Sequence, residues 1–510
     1  MSTMQLLALG QLAMGSPITL AFCVVLVVVA VLAALKRTRS SRQIPRVGKA
    51  PGWFGLAEAK RDFIANGRLL IDEGYRKYKN SMFLVQTADM ERIVLSPQYV
   101  DELRAAPESV LSLREGMSQR HLGQFTTLDV ILTSHLQNDV CKTQLTQNLS
   151  DFVPTMNEEA SFWLAEQISS TSTHAELTGY EAMLKIVTGM SSRIFVGQSL
   201  SKDERWLRMI VEYTIDVFLI STALRPYPAM IRPLIAPWLS SVKRMQRHLS
   251  IAQELFAPVF ASSMSKESKS SRDYSVLEWM ARSAQGGDRD PRILVKKLLF
   301  LTLAAIHTST MSITHALFDL CEHTECIEPL REEIKAAVRT HGWTLPAVNS
   351  MKLLDSFLKE SQRINHPGLL SFNRWVRSPL HLSDGTVLPA NTFISMPTNS
   401  IAHDPELYKN PECFDVFRFL NKRLASQADA QRHQFVSTSS DSLPFGHGKF
   451  ACPGRFFAAA QIKIVLANII MKYDVSFPDS QTRRPDNVFT GEGIAPDRKQ
   501  KVVFKQRGKR

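Results

Sequence analysis

The ten residues Phe445–Gly454, Phe-Gly-His-Gly-Lys-Phe-Ala-Cys-Pro-Gly, constrain this chain more than any other stretch. The glycines and the proline predict a tightly turned loop, and the apolar positions that follow predict a helix over Arg455–Met471. Cys452 therefore lies just before a helix N-terminus, where free backbone N–H groups and the helix dipole favour a thiolate. Gly448 and Gly454 permit backbone conformations and close approaches that a Cβ atom would block.

A thiolate held in such a loop can be a soft axial ligand of haem iron. For a single cysteine, a buried structural side chain beside an ordinary turn is the alternative. The spacing Phe-x-x-Gly-x-x-x-Cys-x-Gly resembles the haem-binding loop of the cytochrome P450 family. The resemblance implies that Cys452 is the proximal ligand of the iron of haem b and that Phe445 packs beside its sulfur. At Phe450 the family usually has Arg or His, which contacts a haem propionate, and a phenylalanine cannot make that contact.

A second motif lies in a long apolar segment that Asp290-Pro291 opens as N-cap and first helical residue. This segment is apolar nearly all round, which predicts a buried helix. It leads into Ala304-Ala305-Ile306-His307-Thr308-Ser309-Thr310, where hydroxyl groups can bond back to preceding carbonyls and bend the helix. Core threonines whose hydroxyls are satisfied in this way are the alternative to a functional cluster.

In the P450 family a central helix crosses the distal face of the haem with an Ala/Gly-Gly-x-acid-Thr run. Ala304, Ala305 and Thr308 match that run, so the resemblance implies that Thr308 acts in oxygen activation. His307 stands where the family has the acid. Two roles stay open for it: a proton relay, because histidine titrates near neutral pH, or a structural histidine beside a water held by Thr308. Similar Ala-Ala-Ile-His-Thr runs occur in a fungal branch of the family that oxidises terpenoids.

A third motif is Glu360-Ser361-Gln362-Arg363, on a helix that Asn349 or Ser350 is predicted to cap. Glu360 and Arg363 share a helix face and can pair, and an exposed ion pair of small worth is the alternative. The motif resembles the Glu-x-x-Arg of the P450 family, which an arginine from a later loop joins. The resemblance implies that Arg418 takes that place, in a buried network that serves folding and cofactor retention.

The N-terminal region predicts a membrane anchor. The 18 residues Ile18–Leu35 carry no charge and would span ~27 Å as a helix, close to the thickness of a bilayer core. Basic residues follow at once, which places the C-terminal side in the cytosol. A cleaved signal peptide would need the reverse charge order. We therefore expect an uncleaved anchor in residues 1–36 with its span at about 16–35, a basic linker at 37–54, and a catalytic domain at 55–510 on the cytosolic face of the endoplasmic reticulum.

The net charge of +13 suits an anionic membrane lipid surface or an acidic protein partner. Scattered charges and the absence of a nucleic-acid motif in the sequence argue against nucleic acid as a partner. Six irregularly spaced cysteines argue against a disulfide framework and for reduced thiols. The apolar, proline-punctuated stretch 223–238 carries Arg225 and Arg232 and predicts either a membrane-facing surface or a buried loop between helices. In the family this region corresponds to a mobile lid over the substrate channel.

Short strands are predicted at 83–85 and 93–95, a hairpin at Asp384-Gly385, and a final strand at 501–504. With helical patterns elsewhere, these predict a mainly α fold with small β-sheets. The resemblance implies that this is the cytochrome P450 fold, in one catalytic domain behind an N-terminal transmembrane helix.

The resemblance implies a haem-thiolate monooxygenase that uses O₂ and electrons from NADPH, delivered by NADPH–cytochrome P450 reductase, with cytochrome b5 as a second candidate donor. The substrate expected is a large hydrophobic terpenoid (a diterpene, indole-diterpene or meroterpenoid), as for ent-kaurene-oxidase-like members. An apolar distal wall agrees with that substrate and equally with a steroid or a fatty acid; its residues are Leu301, Ala304, Ala305, Leu369 and Leu370. A haem-thiolate isomerase or dehydratase that needs no reductase, and a non-catalytic haem or sterol binder, are the alternatives.

Overall fold

The computed structural model describes residues 44–49, 55–168, 174–263 and 275–508. The predicted anchor at residues 1–36 lies outside these ranges, as does most of the linker at 37–54. The boundaries assigned to anchor, linker and catalytic domain therefore stay predictions.

Helices dominate the described part of the chain, as the sequence predicts. They are α1 (Leu56–Lys77), α2 (Val100–Leu103), α3 (Leu113–Arg120), α4 (Gly123–Thr126), α5 (Leu136–Val140), α6 (Leu149–Gln167), α7 (Gly179–Val196), α8 (Glu204–Leu224), α9 (Arg232–Ile235), α10 (Ser240–Ser263), α11 (Val276–Ser283), α12 (Pro291–Glu322), α13 (Ile327–His341), α14 (Leu345–Ser350), α15 (Lys352–Ile364), α16 (Thr398–Ala402), α17 (Arg418–Leu424) and α18 (Arg455–Lys472).

The strands are short. They are β1 (Arg46–Val47), β2 (Met82–Gln86), β3 (Glu91–Leu95), β4 (Leu111–Ser112), β5 (His174–Thr178), β6 (Ser371–Val376), β7 (Leu380–His381), β8 (Val387–Leu388), β9 (Thr392–Met396), β10 (Tyr473–Ser476), β11 (Val488–Thr490), β12 (Gly493–Ala495) and β13 (Lys501–Gln506). One sheet has the order β1-β2-β3-β9-β6-β4, a second has β10-β13-β5, and β7-β8 and β11-β12 are two-stranded hairpins. The predicted strands at 83–85 and 93–95 and the Asp384-Gly385 hairpin are confirmed.

Helix α12 is the central element. It begins as predicted, with the Asp290 carboxylate accepting a hydrogen bond of 2.9 Å from the Arg292 N–H and with Pro291 as first helical residue. Among the described residues it is the one helix long and apolar enough to cross a membrane, but 61% of its most apolar window is buried inside the protein. Burial by α7, α10, α15 and α18 makes it the core helix of this fold.

The start of α15 differs from the prediction. Asn349 and Ser350 do not cap α15, because both belong to the preceding short helix α14. The N-terminus of α15 is instead satisfied from a distance, since the Glu333 carboxylate of α13 accepts hydrogen bonds of 2.7 Å and 3.0 Å from the N–H groups of Leu353 and Leu354. This cap orients the helix that carries Glu360 and Arg363.

The stretch 223–238 forms α9 and a short 3₁₀ turn, Ala236–Trp238. Its apolar side chains face outward: Met230 is 90% exposed, Leu234 72% and Trp238 83%. The alternative of a buried loop is therefore wrong, and the stretch presents an exposed apolar surface.

Candidate active site

The loop before α18 is closed on itself. The Cys452 N–H donates a hydrogen bond of 2.7 Å to the carbonyl of Phe445, and Gly448 has a φ of +71°. A Cβ atom on Gly448 would lie 2.5 Å from the carbonyl oxygen of Arg104, so a side chain there would force the loop apart. Gly454 has an ordinary φ of −92°, and a Cβ atom there would meet no described atom within 4 Å. No described protein atom requires a glycine at this position, so the role of Gly454 stays a prediction.

The Cys452 sulfur faces the backbone N–H groups of Gly454 and Arg455. α18 begins at Arg455 and ends one residue beyond the predicted boundary. Burial raises the pKa of the Cys452 thiol, and the two N–H groups and the Arg455 charge offset that rise only in part. The two N–H groups therefore favour a thiolate, as the sequence predicts, but burial outweighs them; a coordinated metal ion deprotonates a thiol outright.

Aromatic rings flank the loop on two sides. Phe445 packs edge to face against Phe435, with ring centroids 5.5 Å apart. Phe450 ends a 3₁₀ turn, and the guanidinium carbon of Arg374 lies 5.1 Å from the centroid of its ring. A guanidinium from β6 therefore lies beside the position where the family usually has Arg or His.

Arg374 is buried beside this loop. Its Nη1 donates a hydrogen bond of 2.8 Å to the carbonyl of Asn373, while its Nη2 is buried without a partner in the described ranges. Burial lowers the pKa of Arg374 to about 10. The register of β6 shifts between Ser371 and Arg374, and Phe372 has a φ of +53°, so the strand bends where Arg374 turns inward. Sequence reasoning missed Arg374, although its alternation with the apolar residues of β6 was a usable signal.

Helix α12 has one accessible patch in an otherwise buried stretch. Ala304 and Thr308 are exposed, whereas Leu301, Ile306 and Thr310 are buried. Ala304 and Thr308 lie four residues apart and share a face. The Thr308 hydroxyl donates a hydrogen bond of 2.7 Å to the Ala304 carbonyl, the back-bonding that the sequence predicts. Accessible side chains in the middle of a core helix border a space inside the protein.

His307 points elsewhere. Its Nδ1 lies 3.4 Å from the hydroxyl of Tyr180, and its Nε2 is buried without a partner within the described ranges. Burial, aided by the positive charge of Arg498, lowers the pKa of His307 to about 4. The imidazole is therefore neutral near pH 7 and is turned toward α7, away from the face that Thr308 shares with Ala304.

Glu360, Arg363 and Arg418 meet in a buried network. Arg363 donates to both oxygens of Glu360 at 2.9 Å and 2.8 Å, and Arg418 Nε donates to the same two oxygens at 3.0 Å and 3.1 Å. Glu360 is fully buried, so the alternative of an exposed ion pair is wrong. The remaining guanidinium donors reach backbone carbonyls of Ala402, Lys409, Asn410, Pro411 and Cys413.

The expected apolar wall is present only in part. Leu301, Leu369 and Leu370 are buried in the hydrophobic clusters. Ala304 is exposed and Ala305 is half-buried, so these small residues contribute the accessible surface on α12.

The residues present fit a haem. The structure offers a single cysteine sulfur in a tight loop, open space at Gly454, accessible small residues on α12, and a buried guanidinium with a free donor beside the loop. No group of three or more His, Cys, Asp or Glu side chains that could hold a metal ion occurs within the described ranges. A cofactor that brings its own equatorial ligands and needs one axial sulfur suits this arrangement.

Comparisons with known proteins agree with this geometry. A family model described as Cytochrome P450 matches residues 70–503. The chain is 38% identical over 86% of its length, and 83% of the relative, to Cytochrome P450 monooxygenase AN1598 of Emericella nidulans. It is 34% identical to Cytochrome P450 monooxygenase paxP of Penicillium paxilli, with 92% of this chain and 91% of that protein covered. It is 33% identical to Ent-kaurene oxidase of Gibberella intermedia, with 92% and 89% covered.

A solved structure shares the fold. It is the retinoic acid bound cyanobacterial CYP120A1, with a TM-score of 0.68 and 17% sequence identity over 91% of this chain and 99% of that chain. The fold, the family match and the named relatives agree, and haem is the cofactor of this fold family. The chain belongs to the cytochrome P450 family and is a haem-dependent monooxygenase.

Proposed function

We propose that this monooxygenase oxidises a large hydrophobic terpenoid, with electrons from NADPH delivered by NADPH–cytochrome P450 reductase. The observation that carries the proposal is the accessible Ala304–Thr308 face inside an apolar core. Small side chains there leave room for a bulky apolar substrate, and a core without charges on that face suits a hydrocarbon skeleton. Similarity to a relative named Ent-kaurene oxidase supports a diterpene-like skeleton over a steroid or fatty acid.

The residues take the following parts in this proposal. Cys452 would hold the iron of haem through its sulfur, and the bound haem would supply the chemistry that activates O₂ and oxidises a C–H bond. Phe445 belongs to the same loop and packs on Phe435, and Gly448 lets the loop pass close to the Arg104 backbone. Arg374 binds a haem propionate through its free Nη2, the contact that Phe450 cannot make. The network of Glu360, Arg363 and Arg418 would hold the stretch 402–413 in place, because carbonyls of that stretch accept hydrogen bonds from both arginines.

We assign Thr308 a role in proton delivery into the space that the Ala304–Thr308 face borders. Its hydroxyl donates a hydrogen bond to the Ala304 carbonyl. The hydroxyl can also rotate away from that carbonyl, to donate into the interior space or to hold a water there. We assign His307 the structural role of the two considered, because its imidazole is neutral and faces Tyr180.

The proposed location is the endoplasmic reticulum membrane, with the catalytic domain in the cytosol. A span at residues 16–35 and the exposed side chains Met230, Leu234 and Trp238 would both contact lipid. Removal of residues 1–36 should then release the protein only partly from microsomes, and protease added outside sealed microsomes should digest the domain. A protected domain would contradict this orientation.

The experiment that tests the function uses the full-length, haem-loaded protein in membranes with reductase and NADPH. The substrates are ent-kaurene, an indole-diterpene, a steroid and a fatty acid. We expect oxidised product from a terpenoid, with NADPH consumed in step. Product from the steroid or fatty acid alone would contradict the substrate class, and turnover of a terpenoid without reductase would contradict the electron source.

A further inference from the structure

A second cluster of charged side chains lies where five parts of the chain meet. Asp89 stands in the β2–β3 turn, Arg92 on β3, Arg120 at the end of α3, Arg225 just after α8, and Glu492 in the β11–β12 turn. Three guanidinium groups thus share two carboxylates, and the cluster carries a positive surplus.

Arg92 donates most of the hydrogen bonds that the two carboxylates accept. It is fully buried, and it donates to both oxygens of Asp89 at 2.9 Å and 2.8 Å and to Glu492 Oε2 at 2.7 Å. The Met90 N–H donates to Asp89 as well, at 3.0 Å. Four acceptor oxygens are therefore largely satisfied before the other two arginines are considered.

Arg225 is left with free donors. Its closest carboxylate oxygen, Asp89 Oδ2, is 3.8 Å from Nη1, beyond hydrogen-bond distance. Its side chain makes no hydrogen bond to any residue in the described ranges and is 18% exposed. Arg120 contacts Glu492, but its Nε lies 3.7 Å from Asp89. Guanidinium donors that the protein does not use face an accessible space.

The surrounding charges strengthen the surplus. Burial first, and then the charges of Arg225 and Arg232, lower the pKa of the Lys60 amine. Burial and the neighbouring Arg92 lower the pKa of Arg120 to about 9, although 26% of its side chain is accessible. Arg120 is thus accessible while most of its side chain is surrounded by protein, and an added anion would relieve the repulsion among the cations.

The cluster lies against β6, the strand that also carries Arg374. Arg92 Nη1 lies 3.3 Å from Oδ1 of Asn373, the residue before Arg374. The Ser221 hydroxyl donates 2.8 Å to the His121 carbonyl and so ties the end of α8 to the end of α3. Phe218 is half exposed, packs edge to face on His121 at 5.6 Å, and lies two turns before Arg225 on the same face of α8.

We propose that Arg225, with Arg120 beside it, binds a carboxylate at one end of an otherwise apolar substrate. The inference rests on the proposed function, since it concerns the substrate of that same site. Phe218 would contact the apolar body, and the free guanidinium donors would take the anion in the paired geometry that carboxylates favour. A phospholipid headgroup has related chemistry, but the position beside Asn373 and Arg374 favours a substrate group over a lipid at the outer surface.

The test compares one apolar skeleton with and without a charge. The full-length, haem-loaded protein is placed in phosphatidylcholine nanodiscs, and equilibrium dialysis measures the Kd of abietic acid and of its methyl ester. We expect the acid to bind about tenfold more tightly than the ester, the size of one charge-assisted hydrogen-bonded contact. Arg225→Gln should remove this preference by weakening the acid alone, and Arg225→Lys should keep part of it because the charge remains.

The matched control is Arg205→Gln, which removes the same charge from the other end of α8, where Arg205 pairs with Asp203 and Glu254. It should leave the acid-to-ester ratio unchanged. Equal affinities for acid and ester in the wild type would overturn the proposal, whether or not the variants fold. If nanodiscs with phosphatidylserine abolish the wild-type preference, the anion is a lipid headgroup and the substrate assignment fails. Absence of terpenoid oxidation would count against the proposed function and leave this binding ratio intact.

Discussion

Two arginine–carboxylate networks in this molecule use the same side chains to opposite effect. In the first, Glu360, Arg363 and Arg418 are buried, and backbone carbonyls accept the donors that the carboxylate cannot. In the second, the Arg225 side chain makes no hydrogen bond within the described ranges, and the Nε of Arg92 is buried without one. Both networks hold more guanidinium groups than carboxylates, so the ratio of charges does not distinguish them.

The two networks differ in whether backbone carbonyls are available to accept hydrogen bonds from the guanidinium groups. The first network lies against an irregular stretch, 402–413, whose carbonyls point inward and complete every pairing. The second lies among strand, helix and turn ends whose carbonyls are used by secondary structure. A saturated network resists change and supports the fold, whereas an unsaturated one retains binding capacity for a ligand.

The largest effect should come from a residue in neither network. Cys452→Ser should abolish turnover and the red-shifted Soret band of the reduced, CO-bound protein, because serine offers no soft thiolate ligand. Cys413→Ser is the control, since Cys413 is exposed and should keep both properties. A normal CO-bound spectrum from the Cys452 variant would show that another residue holds the iron.

Breaking the saturated network should cost stability. Glu360→Ala leaves two guanidinium groups without their shared carboxylate, which should destabilise the protein by ~3–5 kcal/mol and yield protein without haem. Arg225→Gln, in the unsaturated network, should change the free energy of unfolding by less than about 1 kcal/mol. Urea denaturation and haem content are the measurements. Stable, haem-loaded Glu360→Ala would remove the distinction between the two networks.

Arg374 resembles the unsaturated network on a smaller scale, because one of its guanidinium nitrogens, Nη2, has no partner within the described ranges. Arg374→Gln should weaken haem retention by about 1.5–3 kcal/mol, the worth of a hydrogen bond to a charged group. Phe450→Arg in the same chain should restore retention, because it places a guanidinium at the neighbouring position. The measurement is the rate of haem transfer to excess apomyoglobin. Unchanged transfer from Arg374→Gln would mean that its Nη2 does not meet a propionate.

Thr308 should affect coupling more than stability. Thr308→Ala should still consume NADPH but release hydrogen peroxide in place of about nine-tenths of the product, an effect of order 1.4 kcal/mol on partitioning. Thr340→Ala, which removes a hydroxyl with the same back-bond from α13, should stay coupled. The ratio of product to NADPH decides between them, and a fully coupled Thr308→Ala enzyme would contradict the role assigned to this face.

His307 should have the smallest effect near neutral pH. Its pKa is lowered to about 4, whereas an unfolded histidine titrates near 6.5, so the imidazole stays neutral from pH 6 to 8 in the folded protein. His307→Ala should then change coupling little, with no pH dependence in that range. As the pH falls from about 6.5 toward 4, the unfolded state binds the extra proton and stability falls. His307→Ala should lose less stability on acidification than wild type, as urea midpoints would show.

A large part of this structure could be predicted from local sequence patterns. Cap signals predict the start of α12, periodicity predicts α18 almost to the residue, and Asp384-Gly385 predicts its hairpin, because each depends on neighbours in the sequence. The spacing around Cys452 and the Glu360–Arg363 pair is likewise local, so the motif residues could be named in advance.

Contacts between distant residues could not be read in the same way. Glu333 caps a helix 20 residues later, and Glu492 reaches Arg92 from 400 residues away. Arg374 shares the spacing of the buried residues Phe372 and Val376, which a sequence shows, but the register shift in β6 beside it is not visible in the side-chain pattern. The N–H groups that lower the pKa of the Cys452 thiol could be predicted, because a helix start is visible in a sequence, whereas the burial that raises this pKa could not.

The pairing of β13 with β5 has a consequence for synthesis. Residues 501–505 pair with residues 174–178. The strand β5 therefore cannot pair until the ribosome has made β13, more than three hundred residues later. Cys452 and the carbonyls that saturate the Glu360 network are also made late. The helices made first must therefore persist as a partly folded, haem-free intermediate, and cofactor capture becomes a step that follows translation and exposes the nascent chain to chaperones.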